Sequence, residues 1–536
     1  MTPTLQIKDL SLKIGARVIL DRINLSIHAG EIMGLVGRSG SGKSMTGLAA
    51  MRLAPENASI QGDIILEDEN LATASEKHLC SIRGRDIAMV FQEPMTALNP
   101  LHSIGMQIAE TILIHSDTSK ATALRQAGNL LTRVGLPPET ISPARLPHEL
   151  SGGQRQRVVI AIAIAMKPKI LIADEPTTSL DVTTQTEILA LLKDLAHQDN
   201  MGLLLITHDL AIISEMADQI ALMKDGRIVE QATPQMFFNG VASSDVKELL
   251  VQPVTRTMRA RPSKDDTKPV LKASNIVCAY PLPRASLFAP KRHLRAVDGV
   301  SLTIRKNENV GLVGESGCGK STFARTLLGL AVLSDGNIEI DGAAFPSPNA
   351  ATTHNLRRKI QIVFQDPYSS FNPRQTIRKV IAEPLNLLDA RPDKKTERRM
   401  VTDALSAVDL SPDDAEKYPH AFSGGQRQRI AIARALITEP EVIILDEATS
   451  ALDTASRNRV LELLMRLSEE KGVSYLFITH DLSVVRSVTD RLLVMKTGRI
   501  VEEGATHDIF EAPKHPYTQK LLNAAPVMKQ FEPASP

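Results

Sequence analysis

The chain has 536 residues, 43% hydrophobic and 23% charged, ordinary globular values for two or more domains that each bury a core. Its 62 Lys and Arg against 61 Asp and Glu leave a formal charge of +1, which excludes a global basic field drawing it to nucleic acid or anionic lipid. The longest strongly apolar run, residues 158–166, falls far short of the roughly 20 residues that cross a bilayer, so any pore must come from other chains.

No basic start followed by an apolar stretch opens the sequence, which predicts a chain that stays inside the cell. Three scattered cysteines, Cys80, Cys278 and Cys318, lack metal-ligand or redox spacing and suit a reducing compartment.

Ile32-Met-Gly-Leu-Val36 reads as a buried strand entering Gly37-Arg-Ser-Gly-Ser-Gly-Lys-Ser44, with a helix expected to start at the lysine. This is the P-loop arrangement, in which backbone N–H groups around Gly37, Ser39, Gly40 and Gly42 curl about phosphate oxygens. Lys43 is placed to reach the β and γ phosphates of ATP, and the Ser44 hydroxyl to bind Mg²⁺. Phe91-Gln92 follows, then Ser151-Gly152-Gly153-Gln154 opening an apparent helix, a turn that offers a hydroxyl and close N–H groups to an anion. Lys169-Ile-Leu-Ile-Ala173 reads as a second buried strand that delivers Asp174 and Glu175 at its C-terminal end, where ligands of open α/β sheets bind. Asp174 is a Walker B carboxylate for Mg²⁺, and Glu175 is placed to accept a proton from, or orient, an attacking water. Thr207-His208-Asp209 completes the set.

The whole series then recurs in order, offset by 277 residues at the lysines and 272 at the aspartates, which marks a duplicated domain. Domains over 1–252 and 270–536 are expected, joined by a polar, Pro-containing linker at 253–269. The second copies are Gly314, Ser316, Gly317, Gly319, Lys320, Ser321 and Thr322, then Gln365, Ser423-Gly424-Gly425-Gln426, Asp446-Glu447 and His480.

Leu150-Ser-Gly-Gly-Gln154 and Phe422-Ser-Gly-Gly-Gln426 resemble the signature of the ATP-binding-cassette family, and the resemblance covers both halves. It implies an α/β fold of two P-loop NTPase domains, each with a mainly parallel core sheet, an antiparallel β subdomain and an α-helical signature subdomain. It also implies that the halves pair head to tail. Lys43, Ser44, Asp174 and Glu175 would then work with Ser423 and Gly425, and Lys320, Ser321, Asp446 and Glu447 with Ser151 and Gly153. Gln92 and Gln365 match its Q-loop glutamine, which senses Mg²⁺ or the water, His208 and His480 its switch histidine, and Asp181 and Asp453 its D-loop. The family stacks adenine on an aromatic side chain upstream of the P-loop. Tyr280 fits that place in the second half, whereas Ile14 occupies it in the first.

Phe91-Gln-Glu-Pro-Met-Thr-Ala-Leu-Asn-Pro100, Phe364-Gln-Asp-Pro-Tyr-Ser-Ser-Phe-Asn-Pro373 and His515-Pro-Tyr-Thr-Gln-Lys-Leu-Leu522 resemble the oligopeptide, dipeptide and nickel importer ATPases. Fused members include microcin C, peptide and glutathione importer ATPases. The resemblance implies an import ATPase on the cytoplasmic face of the bacterial inner membrane. Its partners would be two transmembrane permease subunits and an extracytoplasmic solute-binding protein. A tandem cassette acting in translation and an export ATPase are the alternatives; neutral charge and the importer-like Q-loops disfavour them. The first half lacks the His-Pro-Tyr-Thr segment, and three scattered cysteines argue against a cysteine-bound cluster.

Overall fold

The computed structural model describes residues 2–92, 97–178, 180–239, 268–281, 293–346, 350–366, 370–388, 390–450 and 452–525. Residues 253–267 of the expected linker lie outside the described residues, as do 93–96 and 367–369 of the importer-like Q-loops. The described chain divides into two compact units, one up to Asn239 and one from Lys268 to Ala525.

In the first unit, β1 (Leu5–Ile14), β2 (Arg17–Ile27), β4 (Ala58–Leu66) and β5 (Glu69–Asn70) form an antiparallel sheet in the order β2-β1-β4-β5. The core sheet has the order β10-β9-β3-β8-β7-β6. Its strands are β3 (Ile32–Gly37), β6 (Ile87–Val90), β7 (Ile170–Asp174), β8 (Gly202–Ile206), β9 (Gln219–Lys224) and β10 (Arg227–Ala232). All neighbouring pairs are parallel except β10 with β9.

The inner strands β3, β7 and β8 are almost wholly apolar because both of their faces are covered, whereas the edge strand β10 carries Arg227, Glu230 and Gln231. Along β7, Leu171 and Ala173 join the layer shared with the helices, while Ile170 and Ile172 face the layer shared with the antiparallel sheet. Leu203 and Leu205 alternate with Leu204 and Ile206 along β8 in the same way. This period of two fixes the register, since a slip by one residue would exchange the two layers.

Helix α1 (Lys43–Ala50) starts at the lysine, as the glycine loop predicts. Helices Ile104–His115, Lys120–Arg133 and α2 (Gly152–Ala163) pack together through Ile108, Ala127, Leu131 and Ile160 as the helical subdomain.

The second unit repeats the plan. Its antiparallel sheet runs β12-β11-β14-β15, from β11 (Pro269–Pro281), β12 (His293–Arg305), β14 (Asp335–Ile340) and β15 (Ala343–Phe345). The core sheet runs β16-β17-β18-β13-β19-β20. Its strands are β13 (Asn309–Val313), β16 (Ile360–Val363), β17 (Val442–Asp446), β18 (Ser474–Ile478), β19 (Arg491–Lys496) and β20 (Arg499–Ala505). Helix α3 (Lys320–Leu327) follows the second glycine loop, α4 (Gly424–Leu436) begins at the second Ser-Gly-Gly-Gln turn, and α5 (Pro516–Asn523) closes the described chain. No helix among the described residues is long and apolar enough to cross a membrane.

Candidate functional site: two matching nucleotide sites

Each glycine loop is shaped by contacts that only glycine permits. A Cβ on Gly37 would stand 2.2 Å from the Met223 carbonyl oxygen, and one on Gly314 equally close to that of Met495. Gly42 and Gly319 cap α1 and α3 with φ of 108° and 110°, in the left-handed region that L side chains avoid. By contrast Gly40 and Gly317 have open space around them, and with Ser39 and Ser316 they form exposed loop tips.

The lysines are 6% and 5% exposed and turn back into their own loops. Lys43 Nζ donates to the carbonyls of Gly37 (2.8 Å) and Arg38 (2.9 Å), and Lys320 Nζ to those of Gly314 (2.7 Å) and Glu315 (2.9 Å). At the first turn of each helix, the Ser44 hydroxyl donates to Asp174 at 3.1 Å and the Ser321 hydroxyl to Asp446 at 3.1 Å. Burial is the main force pushing both aspartates above the ordinary carboxylate value, with the adjoining glutamates adding to it. A hydroxyl beside a buried carboxylate is a set of hard oxygen donors, which fits Mg²⁺.

The following glutamates are held differently. Glu175 and Glu447 adopt φ of 46° and 50°, unusual for residues with side chains, and their N–H groups bond to Ile206 (2.9 Å) and Ile478 (2.8 Å) at the ends of the neighbouring strands. This backward turn aims each carboxylate at the residues after β6 or β16 and after β8 or β18. Gln92 donates to Glu175 Oε2 at 2.9 Å, and His208 Nδ1 lies 2.9 Å from Oε1. Gln365 likewise donates to Glu447 Oε2 at 2.8 Å, with His480 Nδ1 3.4 Å from Oε1. Burial pushes both glutamates up, but the hydrogen bond and charge of the histidine, with the lysine charge behind it, bring them below their ordinary value. Each pair of neighbouring carboxyls is thus split, the aspartate raised and the glutamate lowered.

Residues far apart in sequence therefore converge within each half: lysine, serine, aspartate, glutamate, glutamine and histidine. Ser151 and Ser423 instead begin α2 and α4 in a capping box. Ser151 Oγ accepts from the Gln154 N–H (3.3 Å) and Gln154 Oε1 from the Ser151 N–H (3.0 Å), with 3.4 and 3.0 Å for Ser423 and Gln426. Ser151, Gly152, Ser423 and Gly424 are exposed, while Gly153 and Gly425 are half-buried. Asp181 and Asp453 cap the next helices, accepting from the N–H groups of Thr184 and Ser456, both at 3.0 Å. Tyr280, in β11, is 42% exposed with its ring available to stack, and Ile14 ends the matching β1 with partial exposure.

Two contributors escaped the sequence reading. Thr178 donates to Glu175 Oε2 at 2.9 Å, whereas Ser450, at the matching place, donates to the Glu447 backbone carbonyl at 2.9 Å. The only sequence signal for Thr178 is a hydroxyl three residues beyond the glutamate. The other is Tyr517, which reaches the second glycine loop.

Two phosphate loops with paired Walker B carboxylates define the class: a tandem P-loop ATPase. The family description "ABC transporter" matches residues 20–178 and 297–450, and "Oligopeptide/dipeptide transporter, C-terminal region" matches 501–533. Over 536 aligned residues the chain is 42% identical to the glutathione import ATP-binding protein GsiA of Escherichia coli (strain K12), covering 94% of this chain and 86% of that one. It is 41% identical over 530 residues to the peptidoglycan transport ATP-binding protein YejF of Agrobacterium fabrum, covering 98% and 96%. A solved post-hydrolysis dimer of the cassette MJ0796 with ADP and Pi is 29% identical and covers 44% of this chain and 98% of that one, with a TM-score of 0.40. The chain belongs to the ABC transporter family, within its oligopeptide/dipeptide branch, as a tandem-cassette ATPase.

Proposed function

We propose that the chain couples ATP binding and hydrolysis at two composite sites to uptake of a peptide or peptide-like solute. Two transmembrane permease subunits and an extracytoplasmic solute-binding protein would complete the importer, with the chain peripheral on the cytoplasmic face of the inner membrane. The observation that carries the hydrolytic part is the carboxylate clamp, Gln92–Glu175–His208, repeated as Gln365–Glu447–His480.

Lys43 and Lys320 hold the β and γ phosphates, releasing their loop carbonyls as they do so. Ser44, Asp174 and Gln92, and in the second site Ser321, Asp446 and Gln365, hold Mg²⁺, which when bound neutralises phosphate charge. The glutamate carboxylate, kept ionised by its histidine, accepts a proton from the attacking water. Gly37, Ser39, Gly40 and Gly42, with Gly314, Ser316, Gly317, Gly319 and Thr322, cradle phosphate through the loop backbone. Tyr280 stacks on adenine in the second site. Ser151, Gly152, Gly153 and Gln154 cap the nucleotide held by Lys320, and Ser423, Gly424, Gly425 and Gln426 that held by Lys43. Joining the domains in one chain, 1–252 and 270–536 through 253–269, raises the local concentration of each for the other.

The relatives GsiA and YejF are an import and a transport protein by name, which favours uptake over the translation and export readings. Purification of the chain with its membrane partners tests the proposal. Two polytopic proteins should co-purify, and ATPase activity should rise with solute-loaded binding protein. Co-purification with ribosomes, or activation without any binding protein, would overturn it.

A further inference from the structure

The second phosphate loop is tied to the C-terminal segment by a tyrosine hydroxyl. Glu502 on β20 accepts the N–H groups of Lys514 (2.8 Å) and His515 (3.0 Å), fixing the entry to α5. His515 Nδ1 then accepts the Tyr517 N–H at 3.1 Å, capping the helix. The Tyr517 ring packs in a small core with Val313, Leu492 and Leu521, and the Lys496 ammonium stands 4.8 Å from its centroid. Tyr517 is 6% exposed, and its hydroxyl oxygen accepts the Glu315 N–H at 3.0 Å.

Glu315 N–H belongs to the same peptide group as the Gly314 carbonyl, which accepts from Lys320 Nζ at 2.7 Å. That peptide group is therefore held from both ends. When Lys320 swings to a phosphate, its bond to the Gly314 carbonyl is given up, and the tyrosine bond keeps the loop entry in place. The first half keeps the lysine arrangement, through Gly37. All five tyrosines lie at or beyond position 280.

We propose that Tyr517 is a positioning residue for the nucleotide site built on Lys320. Its hydroxyl preorganises the second phosphate loop, and this is one role of the His-Pro-Tyr-Thr segment. The inference rests on the nucleotide-site reading given above. A rigid loop binds phosphate more tightly because less ordering remains to be done on binding.

The test uses the full chain and a fluorescent trinitrophenyl-ATP with Mg²⁺. Tyr517→Phe removes the hydroxyl and keeps the ring, its packing and the Lys496 contact. In a Lys43→Ala background it should weaken binding roughly three- to tenfold, the range for loss of one hydrogen bond. In a Lys320→Ala background it should leave the remaining site within about twofold, since one bond in the other half is removed. Amide hydrogen exchange in the 314–320 segment should quicken in the Phe variant, with no matching change in 37–43. Unchanged affinity in the Lys43→Ala background, or equal weakening at both sites, would overturn the proposal while leaving the nucleotide sites standing. A Lys43→Ala protein that binds no nucleotide would instead overturn the second-site reading, and the proposal with it.

Discussion

Asp174 and Asp446, the proposed Mg²⁺ ligands, each sit in a buried place unfavourable to an unpaired charge, so Asp174→Asn and Asp446→Asn should stabilise the fold while removing the proposed function. Burial raises both carboxyls above their ordinary value, which means that the ionised form is disfavoured in the folded state. The sign follows from linkage. Above the raised folded pKa the ionised carboxylate costs stability, and below the unfolded value, about 3.9, both states are protonated and the cost is gone. Asparagine is neutral throughout, and its amide oxygen can still accept the Ser44 or Ser321 hydroxyl now bonded at 3.1 Å. Each substitution should therefore add about 1 kcal/mol at neutral pH, the scale of relieving a functional compromise. For a domain of this size that is a rise of about 2–4 °C in Tm. Calorimetry of the metal- and nucleotide-free protein reads it directly, and the gain should shrink as the pH falls toward 4. In the same variants the extra stabilisation that Mg²⁺ and ATP confer should disappear at the altered site. An asparagine protein that melts below its parent at pH 7, or a gain that grows on acidification, would refute the reasoning.

Glu175→Gln and Glu447→Gln should each slow hydrolysis, by about 10²–10⁴-fold if proton acceptance is lost, and the double variant should retain ATP through size-exclusion chromatography. Gly153→Ala should destabilise the first helical subdomain by about 1–3 kcal/mol, because its Cβ would lie 2.3 Å from Thr184 Cγ2. Adding Thr184→Ser should recover most of that loss in a denaturation experiment. Gly425→Ala should cost less, since its nearest neighbour is Ser456 Cβ at 3.2 Å. Lys43→Ala and Lys320→Ala should leave sites of unequal affinity, the Tyr280 site tighter by about 1 kcal/mol from ring stacking alone. Equal residual affinities by equilibrium binding would count against that asymmetry.

Much of the site was legible because its parts are short and local. A glycine loop, its lysine and its serine are contiguous, and Asp174 and Asp446 close apolar strands whose length and composition mark them as buried. The antiparallel sheets were less accessible to periodicity. β1 changes register between Ile7 and Leu10, and Asp9 takes a φ of 45°, so the apolar alternation breaks inside the strand. Those sheets were expected from family resemblance rather than pattern. The role of Tyr517 was invisible for another reason: its bond spans 202 residues, and an apolar helix face gives no sign of what a buried hydroxyl meets. Thr178 and Ser450 show the limit at short range. Matching hydroxyls in matching turns choose the carboxylate in one half and the backbone in the other.

The composite arrangement of the two sites is tested most directly by a structure of the Glu175→Gln, Glu447→Gln protein with Mg²⁺ and ATP. Each triphosphate should lie within hydrogen-bond distance, about 3 Å, of the opposite half's serine, Ser423 for the nucleotide on Lys43 and Ser151 for that on Lys320. Nucleotide bound at both lysines with those serines separated from it by open solvent would contradict the composite sites.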